Sequence, residues 1–207
     1  MLAEYLENTI LGKWTNSYSI FSGFIGEQTC LNNLAKKIFN KPLFRKDFNS
    51  ENRPKEFTFF FTPTLKNYND FVHLLDKMIS ENINRKFFEG KIELYDFVEI
   101  EDGVIERRSK GTIRLFEEWL NEIIKIQGDG SLNKVFKSFK NVRKERQNPA
   151  HKVTENIYDE SYVELQKNLI SDAYNSMRQL RNLFQQHRKA KGFEIPIWLE
   201  NGEIKSF

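Results

Sequence analysis

Arg146 and His151 stand five positions apart in the segment RQNPAH, with Asn148 and Pro149 between them. The guanidinium stays charged and offers a planar donor fork to phosphate oxygens. The imidazole, with a reference pKa of ~6.5, can give or take a proton near neutrality. Proline has no amide proton and disfavours helical geometry in the residue before it, so a helix carrying Arg146 is interrupted here and both side chains are free to converge on one anionic group. Arg181, Asn182 and His187 repeat a similar spacing. On an unbroken helix six positions turn through about 240°, so that second pair diverges, and it is expected to cap or solvate the end of the last helix.

Charge gathers around the first pair. Between Leu132 and Asn156, Lys134, Lys137, Lys140, Arg143, Lys144, Arg146 and Lys152 face only Glu145 and Glu155, a balance of +5 in a chain whose net charge is +3. With Leu132, Val135, Phe136 and Phe139 turned inward, the cations line the opposite helix face, where Lys137, Lys140, Arg143, Lys144 and Lys152 can meet phosphates. The plainer reading of such a run is a solvated face. Glu145 either orients Arg146 or a catalytic proton, or is a surface ion-pair partner. Asn148 either contacts phosphate or caps the helix that Pro149 begins. His73 and Cys30 lie on apolar helix faces and are expected to be packed inside, and Asp159 is expected to cap a helix. Without a Gly-rich phosphate loop, zinc-ligand spacing or hydrolase nucleophile elbow, neither a metal nor a cofactor is expected.

The elements that must position these residues are mostly helices. The 207 residues are 39% hydrophobic, with 19 Phe, 7 Tyr and 3 Trp but only 10 Gly and 5 Pro, enough for a real core. Helical spacing runs with interruptions through residues 1–40. It returns after the cap Thr64, after Gly111, from Ser131 as N-cap, and in a long stretch to about Lys191 carrying Leu165, Leu169, Ala173, Met177, Leu180 and Phe184. FTFFF at 57–61 reads as a short strand. Residues 91–109 read as a β-hairpin turning at Asp102 and Gly103, and the tail, with Asn201 and Gly202 between apolar runs, as a second small hairpin. The expected division is an aromatic-rich region at 1–63, a helical bundle at 64–190 and a tail at 191–207. A single cysteine, acidic residues near the amino terminus and no run of eighteen apolar residues point to a soluble, cytoplasmic chain without a membrane.

The stretch RKERQNPAHK, followed by NIYD and the helix LISDAYNSMRQLRNLF, resembles the HEPN superfamily, whose members in bacterial defence and toxin systems are all-α domains with an arginine, four to six residues and a histidine at the site. The resemblance covers roughly residues 112–190, or 64–190 if the earlier helix completes the bundle. It implies a mainly α, HEPN-like bundle with the hairpin as an insertion, and a metal-independent endoribonuclease in which Arg146 and His151 are the catalytic pair. Such an enzyme uses the RNA 2′-hydroxyl as nucleophile, so DNA is spared. It further implies a homodimer that brings two motifs together, with an antitoxin or defence-system partner. One departure is plain: Gln147 directly follows the arginine, where the family often has Asn, Asp or His, and Asn148 comes one position later. The alternative is an inactive HEPN-like module that grips RNA or a protein without cleavage.

Overall fold

The structure, a computed structural model, describes residues 18–49, 52–100, 103–124, 131–147 and 156–205. Helix α1 (Ile20–Phe39) opens on Ser19, whose hydroxyl accepts from the Ser22 amide. It closes on Asn40 in the left-handed region (φ +57°), whose amide donates to the Lys36 carbonyl, as short polar side chains allow. Phe21, Phe24, Leu31, Leu34, Ala35 and Ile38 are all buried along it, so α1 is a central element of the core. Helix α2 (Leu65–Asp76) starts, as its sequence predicts, on Thr64, which accepts from Asn67 N. It runs without a break into a π-helical turn, Lys77–Glu81, and a 3₁₀ turn follows at Arg85–Phe88.

The expected hairpin is present as β2 (Tyr95–Glu99) paired antiparallel with β3 (Ile105–Ser109), Gly103 taking φ +79° in the turn. Helices α3 (Thr112–Ile123), α4 (Ser131–Gln147) and α5 (Ser161–Gln185) complete a mainly helical architecture. Helix α5 packs chiefly on α1, and α4 packs between α5 and α2. Apolar residues of α1, Leu43, Phe44 and Phe57 share one core cluster with those of α2 to α5.

Several expectations change. FTFFF forms no strand: Phe57 is fully buried while Phe61 is fully exposed. The segment is held by individual rings, Phe57 and Phe59 meeting Phe21 edge-on, so the chain there follows side-chain sockets rather than a ladder. The tail is not a hairpin. A single turn, α6 (Ile197–Glu200), precedes β4 (Ile204–Lys205), which pairs in parallel with β1 (Tyr18–Ser19). Helix α5 ends at Gln185, before a 3₁₀ turn at Arg188–Ala190. His73 is exposed rather than packed, because Val72 and Leu75 take the inward positions on either side. Ser131 stands within α4, whose described residues begin there. Among the described residues no helix is long and apolar enough to cross a membrane.

Candidate nucleic-acid interface

Helix α4 holds most of the sequence-predicted residues. Val135, Phe136, Phe139 and Val142 are buried, which turns Lys134, Lys137, Lys140 and Lys144 outward. Lys140 is bonded to Glu117 of α3 at 2.8 Å, while Lys144 forms no ion pair among the described residues. Asn148, His151 and Lys152 lie outside the described residues.

Arg143 and Arg146 are a turn apart and converge on one carboxylate, Asp76, at the end of α2. Asp76 is fully buried. Its Oδ2 accepts from Arg143 Nη1 at 2.8 Å and from Arg146 Nη1, and its Oδ1 accepts from the Ser80 hydroxyl at 2.6 Å. Arg146 Nη1 also donates to Glu81 at 2.5 Å. The carboxylates of Asp76 and Glu81 hold the Arg146 pKa above its ordinary value. The π-helical turn widens the backbone where Ser80 and Glu81 sit, which lets the buried Asp76 and the surface Glu81 reach the same nitrogen. Arg146 Nε and Nη2 donate to no protein partner among the described residues.

Asp76 was not singled out in the sequence. A signal was there: it falls on the apolar stripe of Val72, Leu75 and Ile79, where a buried carboxylate demands a cation. Glu145, a candidate for orienting Arg146, instead accepts from the Tyr68 hydroxyl at 3.3 Å. Burial, and then the Glu145 charge, push the Tyr68 pKa well up.

Beside this cluster lies a cleft of about 640 Å³ lined by Arg45, Lys110, Arg114, Lys140, Arg143 and Lys144, with Glu81 the only carboxylate in its wall among the described residues. Helix α3 begins at the same wall. Gly111 caps it without a side chain, and its first turn carries no acid, so the helix end adds partial positive charge. Several cations are already balanced: Lys110 by Glu118 at 2.7 Å, and Arg114 by Glu118 and Asp96. Arg45 and Lys144 have no carboxylate within ion-pair distance among the described residues. The arrangement can take an anion with more than one negative oxygen. Among the described residues no group of His, Cys, Asp and Glu is placed to hold a metal ion.

The second arginine–histidine match is in different surroundings. Arg181 is buried, not at a solvated helix end, and donates to Glu27 of α1 through Nε at 2.7 Å and Nη2 at 3.0 Å. His187 caps the 3₁₀ turn Arg188–Ala190 rather than the end of α5, its Nδ1 accepting from the Lys189 amide at 3.2 Å. Cys30 is buried as expected, and burial raises its thiol to about 11. Asp159 accepts from the Ser161 amide at 2.8 Å at the start of α5, which draws its pKa down.

No protein-family model, no curated protein and no solved structure matches the chain.

Proposed function

We propose that the chain is a metal-independent endoribonuclease of HEPN type, binding RNA on the α4 face and cleaving it with Arg146 and His151. The observation that carries this reading is the cleft beside Arg146, in whose wall Arg45 and Lys144 have no carboxylate within ion-pair distance among the described residues. Phosphates supply the charge that cleft lacks, and their contacts make binding salt-dependent. Arg146, fixed through one nitrogen, directs its remaining donors at a phosphorane, while His151 takes the 2′-hydroxyl proton or protonates the departing 5′-oxygen. One histidine cannot do both at once, so the active form is a homodimer. Activity of this kind suits a toxin or an antiviral defence protein, with an antitoxin or defence-system partner restraining it in the cytoplasm.

One observation favours a second reading, an RNA- or protein-binding module without cleavage: Arg146 Nη1 is shared by two carboxylates, Asp76 and Glu81. Labelled single-stranded RNA and the matching DNA, incubated with the protein in EDTA, separate the two. Cleavage of RNA alone, leaving 2′,3′-cyclic phosphate ends, is the expected result. RNA bound but uncut establishes the module, and RNA neither bound nor cut removes both.

A further inference from the structure

The β2–β3 hairpin carries large apolar side chains in solvent. Phe97 is 62% exposed, Val104 61% and Ile105 65%, and Val98 and Ile100 are exposed too. Among the described residues its sheet has only two strands. A lone hairpin is marginal in water, and an open strand edge is a template for another strand.

The ladder fixes which residues face that edge. Ile100 N donates to Val104 O, and Lys110 N donates to Leu94 O. Even-numbered residues therefore make the inter-strand bonds, and Ile105, Arg107 and Ser109 present their amides and carbonyls along the outer edge of β3. From this we infer that β3 pairs antiparallel with β3 of a second copy of this chain, about a two-fold axis at Arg107, making a four-stranded sheet across a homodimer.

Charge selects that register. With Arg107 opposite itself, Ile105 faces Ser109 of the other copy and Glu106 faces Arg108, and the two-fold repeats each pair. Glu106 and Arg108 already share one face, bonded within the strand at 2.5 Å. Across the axis they occupy a non-hydrogen-bonded position, where opposite side chains come closest. The two Arg107 side chains would repel, but each guanidinium lies 3.5 Å over the centre of its own Tyr95 ring, drawn back along its own hairpin. Moving the axis to Glu106 or Arg108 sets like charges face to face, and moving it to Ile105 sets Glu106 opposite Val104, so that neither Glu106 nor Arg107 meets an opposite charge. The other edge offers no such match, because β2 paired with itself about Phe97 puts Asp96 opposite Val98 and Tyr95 opposite Glu99. Pairing β2 with β3 of the next copy leaves a free edge at each end and does not close.

This inference does not depend on RNA cleavage. Its test is sedimentation of the full chain at micromolar concentrations. The wild-type chain is expected to be dimeric, and Glu106→Arg and Arg108→Glu alone should each weaken association at least tenfold, because like charges then face each other. An equimolar mixture of the two variants should recover the dimer, since one copy then presents arginine at both positions and its partner presents glutamate at both. A monomeric wild type, single variants that associate as before, or a mixture that stays monomeric overturns the register. A second pair of variants reads the axis directly. Arg107→Cys should form a covalent dimer on mild oxidation with diamide, whereas Ile105→Cys, placed about four residues from its own copy across the axis, should not. Equal cross-linking of both, or of neither, refutes the two-fold at Arg107.

Discussion

Arg181 and Glu27 form an ion pair between α5 and α1, with both carboxylate oxygens bonded by the guanidinium and both side chains almost wholly excluded from water. The same arginine bonds Asn182 and Gln185 through Nη1. Its donors are thus occupied by the protein, so the arginine that has asparagine in the family's preferred following position is committed to the fold.

Removing one member of this pair strands a buried charge. Arg181→Ala or Glu27→Ala is expected to cost about 3–5 kcal/mol of stability, while replacing both by Met and Leu costs far less. Urea denaturation of the three variants checks this. Equal losses in the single and double variants would show that packing, not charge, carries the contact.

Asp76→Asn tests the other buried carboxylate. Asn keeps the size and one acceptor but removes the charge that Arg143 and Arg146 share. Stability should fall by about 1–3 kcal/mol, a buried charged hydrogen bond being weakened rather than lost, and Arg146 should remain on Glu81. The variant's chemical denaturation and its RNA cleavage rate are the measurements. A rate unchanged at reduced stability would mean that Asp76 supports only the fold.

The cleft makes a quantitative prediction about binding. Arg45→Glu with Lys144→Glu reverses its two cations without carboxylate partners among the described residues. RNA affinity should fall, and each lost phosphate contact should flatten the dependence of log K on log salt by ~0.7. Lys140→Ala, whose charge is already bonded to Glu117, should change the slope less. Fluorescence anisotropy across a salt series reads both quantities. Identical slopes in wild type and the double variant would move RNA off this cleft.

The helices are legible in the sequence because helical spacing survives tertiary packing: the stripe from Leu169 through Ala173, Met177 and Leu180 to Phe184 is buried throughout. The hairpin is legible through its Asp-Gly turn, where Gly103 takes the positive φ that such turns need. Phe57 to Phe61 mislead because aromatic, β-favouring residues are also what ring sockets select. The tail misleads because its strand partner, Tyr18–Ser19, is nearly two hundred residues away, and a parallel pair leaves no turn signature. Arg181 looks like a helix-end residue, although it lies four positions after the buried Met177. Asp76 escapes the pattern for the same reason, since charge reads as exposure.

Lys91 gives a pH prediction. Its buried Nζ has no hydrogen-bond acceptor among the described residues and lies 3.4 Å from the centre of the Phe87 ring, with Phe39 at 4.8 Å and Trp119 at 5.2 Å. Burial, and then the charge of Lys41, lower its pKa to about 8. At pH 9 the unfolded chain therefore binds a proton that the native chain has released, and this group's contribution to stability rises with pH between about 8 and 10.5. Lys91→Met keeps an apolar stem without the charge. The stability gap between variant and wild type should narrow over that interval, as read from denaturation midpoints. A constant gap would show that the amine does not titrate there.

The nuclease reading is tested by a choice between histidines. His151→Ala should lower the RNA cleavage rate by about 100-fold to 10,000-fold, the usual cost of losing a general acid or base. His187→Ala should leave it within a few-fold, because that imidazole is spent on the Lys189 amide. Arg146→Ala is a less clean probe, since it also removes a cation from the buried Asp76. Arg146→Lys keeps a charge for that carboxylate but lacks the fork for a phosphorane. Arg146→Lys should therefore melt close to wild type yet cleave slowly, with its loss in kcat rather than in RNA affinity. Initial rates on one RNA at pH 7 in EDTA, with helicity and dimer content matched, decide the matter. Loss of cleavage in His187→Ala but not in His151→Ala would move the site to α5, against the burial of Arg181, and cleavage untouched by either would end the nuclease reading.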